Sequence, residues 1–151
     1  MITLEEFKKK QLDKSRLIGL DLGSKRIGVS ICDEKQLIAT PLKTINRNSL
    51  VEVINELKDI VAENNIKGII VGNPLNMDGS SGRSAQSVKD TTENIEKNLD
   101  IPICLWDERL STVGAFNLSS QLDINVSKRE KKIDENAAAF ILQGALDFLN
   151  N

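Results

Sequence analysis

At 151 residues the chain has room for one domain with a real core, and too little for two. Hydrophobic content of 40%, charged content of 28% and a net charge of −2 fit an ordinary globular chain and exclude bulk, non-specific attachment to nucleic acid. Histidine is absent, which removes Ser-His and Cys-His nucleophilic catalysis and the usual zinc sites, leaving carboxylates and the hard ions they suit, Mg²⁺ or Mn²⁺.

Residues 1–15 carry a run of lysines (Lys8, Lys9, Lys10, Lys14) and are expected to form a short amphipathic or frayed helix, a basic N-terminal extension to a domain spanning 16–151. The stretch Met1 to Arg16 has no hydrophobic signal region, and no apolar run approaches the ~18 residues of a membrane helix. The expected location is therefore cytoplasmic, with no membrane contact. Leu17–Leu22 and Arg26–Cys32 flank a Gly23-Ser24 turn and make a hairpin; a third strand is expected at about Leu37–Thr44. From Asn48, Leu50, Val53, Ile54, Leu57, Ile60 and Val61 recur at helical spacing. Lys67–Val71 is a short apolar run typical of a buried parallel strand, opening into a polar loop over Gly72–Gly82. A polar helix follows at about Ser84–Asn98, then a buried strand at Ile101–Trp106, a helix at Thr112 to Leu122, a basic loop, and a last helix beginning near Asp134. A three-strand meander followed by alternating helix and strand indicates an α/β domain with a mixed sheet flanked by helices. Cys32 and Cys104 each lie in an apolar stretch and are expected to be packing residues, as is Trp106.

Three acidic positions stand out. In Leu17–Leu22, Ile18, Leu20 and Leu22 alternate with Leu17, Gly19 and Asp21, so Asp21 shares a face with small residues, which Gly28 and Ser30 continue on the paired strand. A carboxylate in the middle sequence of a sheet is costly unless compensated, and a bound cation would do so; alternatively it merely starts the turn. Asp134, at the expected start of the last helix, is favoured there by the helix dipole or serves simply as an N-cap. Asp107-Glu108 closes a buried strand, and alternation lets only one of the two face the side of Asp21, without saying which. Carboxylates converging from distant segments can hold two divalent ions, which activate water and stabilise the leaving oxygen of a phosphodiester. Basic clusters lie beside two of them: Lys25 and Arg26 after Asp21, and Lys128, Arg129, Lys131 and Lys132 before Asp134.

Four ordered stretches, Asp21-Leu22-Gly23-Ser24-Lys25-Arg26-Ile27-Gly28-Val29, Val71-Gly72-Asn73-Pro74-Leu75-Asn76-Met77-Asp78-Gly79, Asp107-Glu108-Arg109-Leu110-Ser111-Thr112 and Ile133-Asp134 with Ala137-Ala138 and Ile141-Leu142-Gln143, resemble the YqgF/RuvX family across nearly all of residues 16–150. The resemblance implies an RNase H-like fold related to the RuvC Holliday-junction resolvases, with five strands, three in an antiparallel meander and two parallel. It implies a metal-dependent nuclease that processes the 5′ end of pre-16S rRNA. Asp21, Glu108 and Asp134 would be its catalytic metal ligands, with Asp107 the alternative to Glu108. Lys25, Arg26, Arg83, Arg109 and Asn76 would meet the substrate, in a groove bordered by Asp78, Gly79 and Gly82, although Arg109 could instead form a salt bridge that orients Asp107. The implied partners are structured RNA, as pre-rRNA or a ribosomal particle, or branched DNA, bound by a monomer or homodimer.

Two other readings compete. A nuclease of the same chemistry could resolve branched DNA, and a non-catalytic RNA- or ribosome-binding module could keep the fold. The Asp21–Gly28 hairpin also resembles the phosphate-binding turn of actin-like and sugar-kinase ATPases, but those folds need two such domains. Two features depart from the family pattern: the basic N-terminal extension, and Glu135-Asn136 after Asp134, where smaller or apolar residues are expected.

Overall fold

A computed structural model describes residues 1–10, 15–110 and 126–150. The hairpin forms as its turn chemistry requires: β1 (Arg16–Leu22) pairs antiparallel with β2 (Arg26–Cys32), Asp21 opposite Gly28, and β2 pairs antiparallel with β3 (Ala39–Asn46). β4 (Ile66–Asn73) joins β1 in parallel, and β5 (Ile103–Asp107) joins β4 in parallel. The sheet order is β3-β2-β1-β4-β5, the expected meander plus two parallel strands. The edge strand β3 carries Pro41, and its pairing with β2 shifts register between Val29 and Ser30.

Each sheet face buries its own core. Ile18, Leu20, Ile27, Val29, Ile69 and Val71 form one with α2 (Leu50–Asn64) and α3 (Arg83–Glu96). Ser49 caps α2 by accepting the Glu52 N–H at 3.2 Å, and Asn65 ends it in the left-handed region (φ 53°). The opposite face buries Leu17, Cys32, Ile70, Cys104 and Trp106 under α1 (Leu4–Lys9) and α4 (Val126–Leu149). Both cysteines are free and buried and Trp106 is core, as expected.

Several boundaries differ from the pattern. The third strand starts at Ala39 because the Asp33 carboxylate accepts the N–H groups of Leu37 (2.8 Å) and Ile38 (2.9 Å), prolonging the turn. The last helix starts at Val126 rather than near Asp134, so the expected basic loop is its first turns and Asp134 lies inside it. A helix-dipole or capping role for Asp134 is thereby removed. The helix expected at Thr112 to Leu122 lies outside the described residues.

The N-terminal stretch, expected as an appendage, contributes to the core. Ile2 bridges to Cys104 at the edge of β5, and Phe7 is 1% exposed against Gly68 and Leu17. Its ring fits because Gly68 has no side chain to occupy the same space. Phe7→Ala should cost about 3–5 kcal/mol of stability, read as a lowered urea midpoint at unchanged slope.

α4 lies against β1 and β2 with almost no side chain between. A Cβ on Gly19 would stand 2.8 Å from the Ala138 carbonyl oxygen, and one on Gly28 would overlap the Asp134 carbonyl. The buried Ser30 hydroxyl donates to Ala138 O at 2.7 Å, fixing the height of the helix over the sheet. Gly28→Ala should therefore destabilise by about 1–3 kcal/mol or more, since backbone rather than a flexible side chain must yield; thermal melting would measure it.

Candidate active site

Asp21 sits at the carboxyl end of β1 on the α4 face, with Leu17 and Gly19. The small neighbours do not leave open space around it: they admit the α4 backbone, which brings Asp134 to Asp21. Burial, and then the Asp134 charge, push the Asp21 carboxyl from its ordinary 3.8 up to about 6. Glu108 opens a short 3₁₀ turn, Glu108–Leu110, directly after β5. Cys104 and Trp106 lie in the core beneath α4, and continuing the alternation brings Glu108 to that side, where its Oε1 borders Gly72. Burial, followed by the charges of Asp21 and Asp107, raises Glu108 from 4.5 to about 7. Among the described residues, neither carboxylate has a hydrogen bond that would lower it.

Asp107 and Asp134 are compensated differently. Arg109 grips Asp107 with Nη2 at 2.6 Å and Nε at 3.0 Å, which holds the Asp107 carboxyl below the usual range. Between the two residues that alternation left open, Glu108 is the uncompensated one turned toward Asp21. The Arg26 Nε donates to Asp134 Oδ2 at 2.7 Å. Thus Arg26 and Arg109, expected at phosphate, each hold a carboxylate of the cluster. Arg109 Nη1 also donates to the Met77 carbonyl at 3.2 Å, tying the 74–82 loop to β5. Asn76 closes that loop on itself, donating from Nδ2 to Ser80 Oγ at 3.0 Å, with Gly79 at φ +89° supplying the left-handed position. Lys25, in the β1–β2 turn, and Arg83, the first residue of α3, are exposed. Glu135, an unexpected charge by pattern, accepts from Thr44 Oγ1 on β3 at 3.3 Å.

Pattern placed Ser30 on the Asp21 face but not its bond to α4, and it missed Gly72 beside Glu108; both shape the site without bearing charge. A glycine facing a catalytic candidate across two parallel strands could be found only by knowing the register, Gly72 opposite Trp106. Among the described residues, no three His, Cys, Asp or Glu side chains form a group placed to hold a metal ion. Asp21 instead couples pairwise, by charge, to Asp134 and Glu108.

The architecture and motif order agree with one family, described as RuvX, Holliday junction resolvase, which matches residues 15–148. The chain belongs to the RuvX family. A Pelagibacter ubique relative named as a pre-16S rRNA nuclease is 73% identical over the whole length of both chains. One from Rhodobacter capsulatus with the same name is 48% identical, covering 88% of this chain and 84% of the relative. The RuvX fold is the RNase H-like fold of RuvC. Thermus thermophilus RuvC in complex with a Holliday junction substrate superposes with a TM-score of 0.56 at 10% identity, covering 87% of this chain and 93% of that one. No helix among the described residues is long and apolar enough to cross a membrane.

The raised carboxyls make the stability of the fold depend on pH. Asp21 and Glu108 favour the fold in their protonated forms, so their contribution is complete below the ordinary values of 3.8 and 4.5 and is lost as the pH rises through about 6 and about 7. For Asp21 this is on the order of 3 kcal/mol. In EDTA, the melting temperature should fall between pH 4 and pH 7, and Asp21→Asn should flatten that fall.

Proposed function

We propose that this chain is a metal-dependent endonuclease that hydrolyses nucleic-acid phosphodiester bonds and processes the 5′ end of pre-16S rRNA. The observation that carries the chemistry is the pair Asp21 and Glu108, half-buried on one face, raised by burial and then by the charge of Asp134 on Asp21 and of Asp21 and Asp107 on Glu108, with no hydrogen-bond donor among the described residues to offset them. Hard, uncompensated carboxylate oxygens are a donor set suited to Mg²⁺ or Mn²⁺. The name shared by the full-length relatives supports RNA as the substrate. A pre-rRNA substrate implies work in the cytoplasm, on structured RNA or a ribosomal particle.

In this mechanism Asp21, Glu108 and Asp134 would hold the ions, two by the logic of phosphodiester hydrolysis. Bound there, divalent ions supply an activated water and positive charge for the leaving oxygen. Arg26 fixes the orientation of Asp134 through its 2.7 Å bond. Arg109 orients Asp107 and holds the loop containing Asn76 as one rim of the substrate groove. Lys25, exposed in the β1–β2 turn, meets the phosphates beside the scissile bond, and Arg83, exposed at the start of α3, meets the substrate backbone farther from it. Residues 16–151 form the catalytic unit, with Ile2 at its β5 edge and Phe7 packed against Gly68 and Leu17.

A second reading keeps the chemistry and changes the substrate to branched DNA. It is favoured by the likeness to RuvC, which was solved on a Holliday junction, and by the family's own description. The deciding measurement is cleavage of a labelled pre-16S fragment and of a four-way DNA junction with Mn²⁺. Wild type should cut the RNA. Asp21→Asn should lose about a hundredfold or more in rate while melting no lower than wild type at pH 7. Cleavage by the variant at the wild-type rate would remove the metal-site assignment. Cleavage of the junction alone would transfer the activity to DNA.

A further inference from the structure

Two clefts adjoin on the sheet face opposite α4. One, of about 300 Å³, is lined by Leu22, Ser24, Arg47, Pro74, Arg83 and Ser87 among others. The second, of about 290 Å³, includes Ser24, Arg47, Asn48, Ser49, Thr91 and Asn94. Sharing Ser24 and Arg47, they form one groove that starts at Leu22, one residue beyond Asp21, and runs along α3 toward the first turn of α2.

The lining has an unusual charge. Although the whole chain has 22 acidic residues against 20 basic ones, both clefts contain arginine and neither contains a carboxylate. Hydroxyls of Ser24, Ser49, Ser84, Ser87 and Thr91 and the amides of Asn48 and Asn94 supply the rest of the polar surface. Arg47 is held still: Nη1 donates to Gly23 O and Nη2 to Thr91 Oγ1, each at 2.8 Å, while its backbone N–H donates to Lys25 O at 2.9 Å. A guanidinium fixed in this way loses little freedom when it meets an anion, and it presents a constant charge on the groove floor. Hydroxyls, amides and arginines without competing carboxylates are the chemistry that follows a sugar–phosphate backbone.

We infer that this groove binds the single-stranded flank of the substrate, gripping its phosphates with Arg47 and Arg83 after the strand passes over the β1–β2 turn from the carboxylate site. The inference rests on the nucleic-acid reading above and extends it to the opposite face of the sheet. The enclosing turn, residues 22–26, links the two sites: Asp21 precedes it on one face, and Arg47 clasps it from the other.

The test measures binding, not cleavage, and uses no metal. With Asp21→Asn as the parent, in EDTA, fluorescence anisotropy would follow an RNA hairpin carrying a single-stranded tail and the same hairpin without one. Arg83→Gln and Ser87→Glu alter exposed positions on α3 and leave the Arg47 clasp intact, so the fold is kept; their melting temperatures verify this. Each should weaken binding of the tailed RNA about tenfold, and Arg83→Gln should also reduce the salt dependence by about one phosphate contact. Binding of the untailed hairpin should not change. Equal affinity of parent and variants for the tailed RNA, equal losses on both RNAs, or no binding of either RNA by the parent would each overturn the proposal. Its outcome is separate from that of the cleavage reading, since a groove that binds tails could coexist with an inactive carboxylate site, and an active site could lack the groove.

Discussion

The site depends on one contact: the backbone of α4 laid directly on the β1–β2 hairpin. A helix normally packs about 8–10 Å from its neighbour because side chains intervene. Here Gly19 and Gly28 withhold theirs, and Ser30 replaces bulk with a hydrogen bond to Ala138 O at 2.7 Å. That approach brings Asp134 close enough to raise Asp21 by charge. It also closes over the Asp21 face, so that burial contributes more than charge does. Gly72 does the same for Glu108 from β4.

Two arginines divide the acidic residues into kinds. Among the described residues, Asp107 and Asp134 receive guanidinium bonds, at 2.6 and 2.7 Å, whereas Asp21 and Glu108 receive none. The Arg109 bond holds the Asp107 carboxyl below the usual range, while Asp21 and Glu108, half-buried beside other carboxylates, hold their protons toward neutral pH. The same few residues therefore contain both a fixed frame and an unbalanced pair, and the unbalanced pair is where a cation gains most.

Much of this was legible in the sequence. The hairpin announced itself through Gly23-Ser24 and period-two alternation, and the strands at 66–73 and 103–107 through their apolar runs. Small residues around Asp21 were visible, but not their purpose, because a stripe of glycine and serine looks alike whether it admits an ion or a helix. The choice between Asp107 and Glu108 was hidden inside a wholly apolar strand and needed the register against β4. The start of the last helix was misplaced by eight residues, since Asp134 has the composition of a cap while the Lys- and Arg-rich segment before it has good helix propensity. Arg26 and Arg109 were recognisable as site residues, and the Arg109–Asp107 salt bridge was readable from their closeness in sequence; that Arg26 faces Asp134 was not, because the two lie 108 positions apart.

The edges of the sheet are finished unequally. At β5 the chain's own Ile2 occupies the outer side, whereas β3 is bordered by no further strand among the described residues. Pro41 removes one donor from that margin, and the register shift beside it interrupts the even spacing a neighbouring strand would need. Leu37 and Ile38, which precede β3, are 54% and 62% exposed, but their amides are turned inward to Asp33. Sticky side chains therefore sit next to a backbone that offers poor templating, and the protein resists growing into β-linked aggregates at its weakest margin.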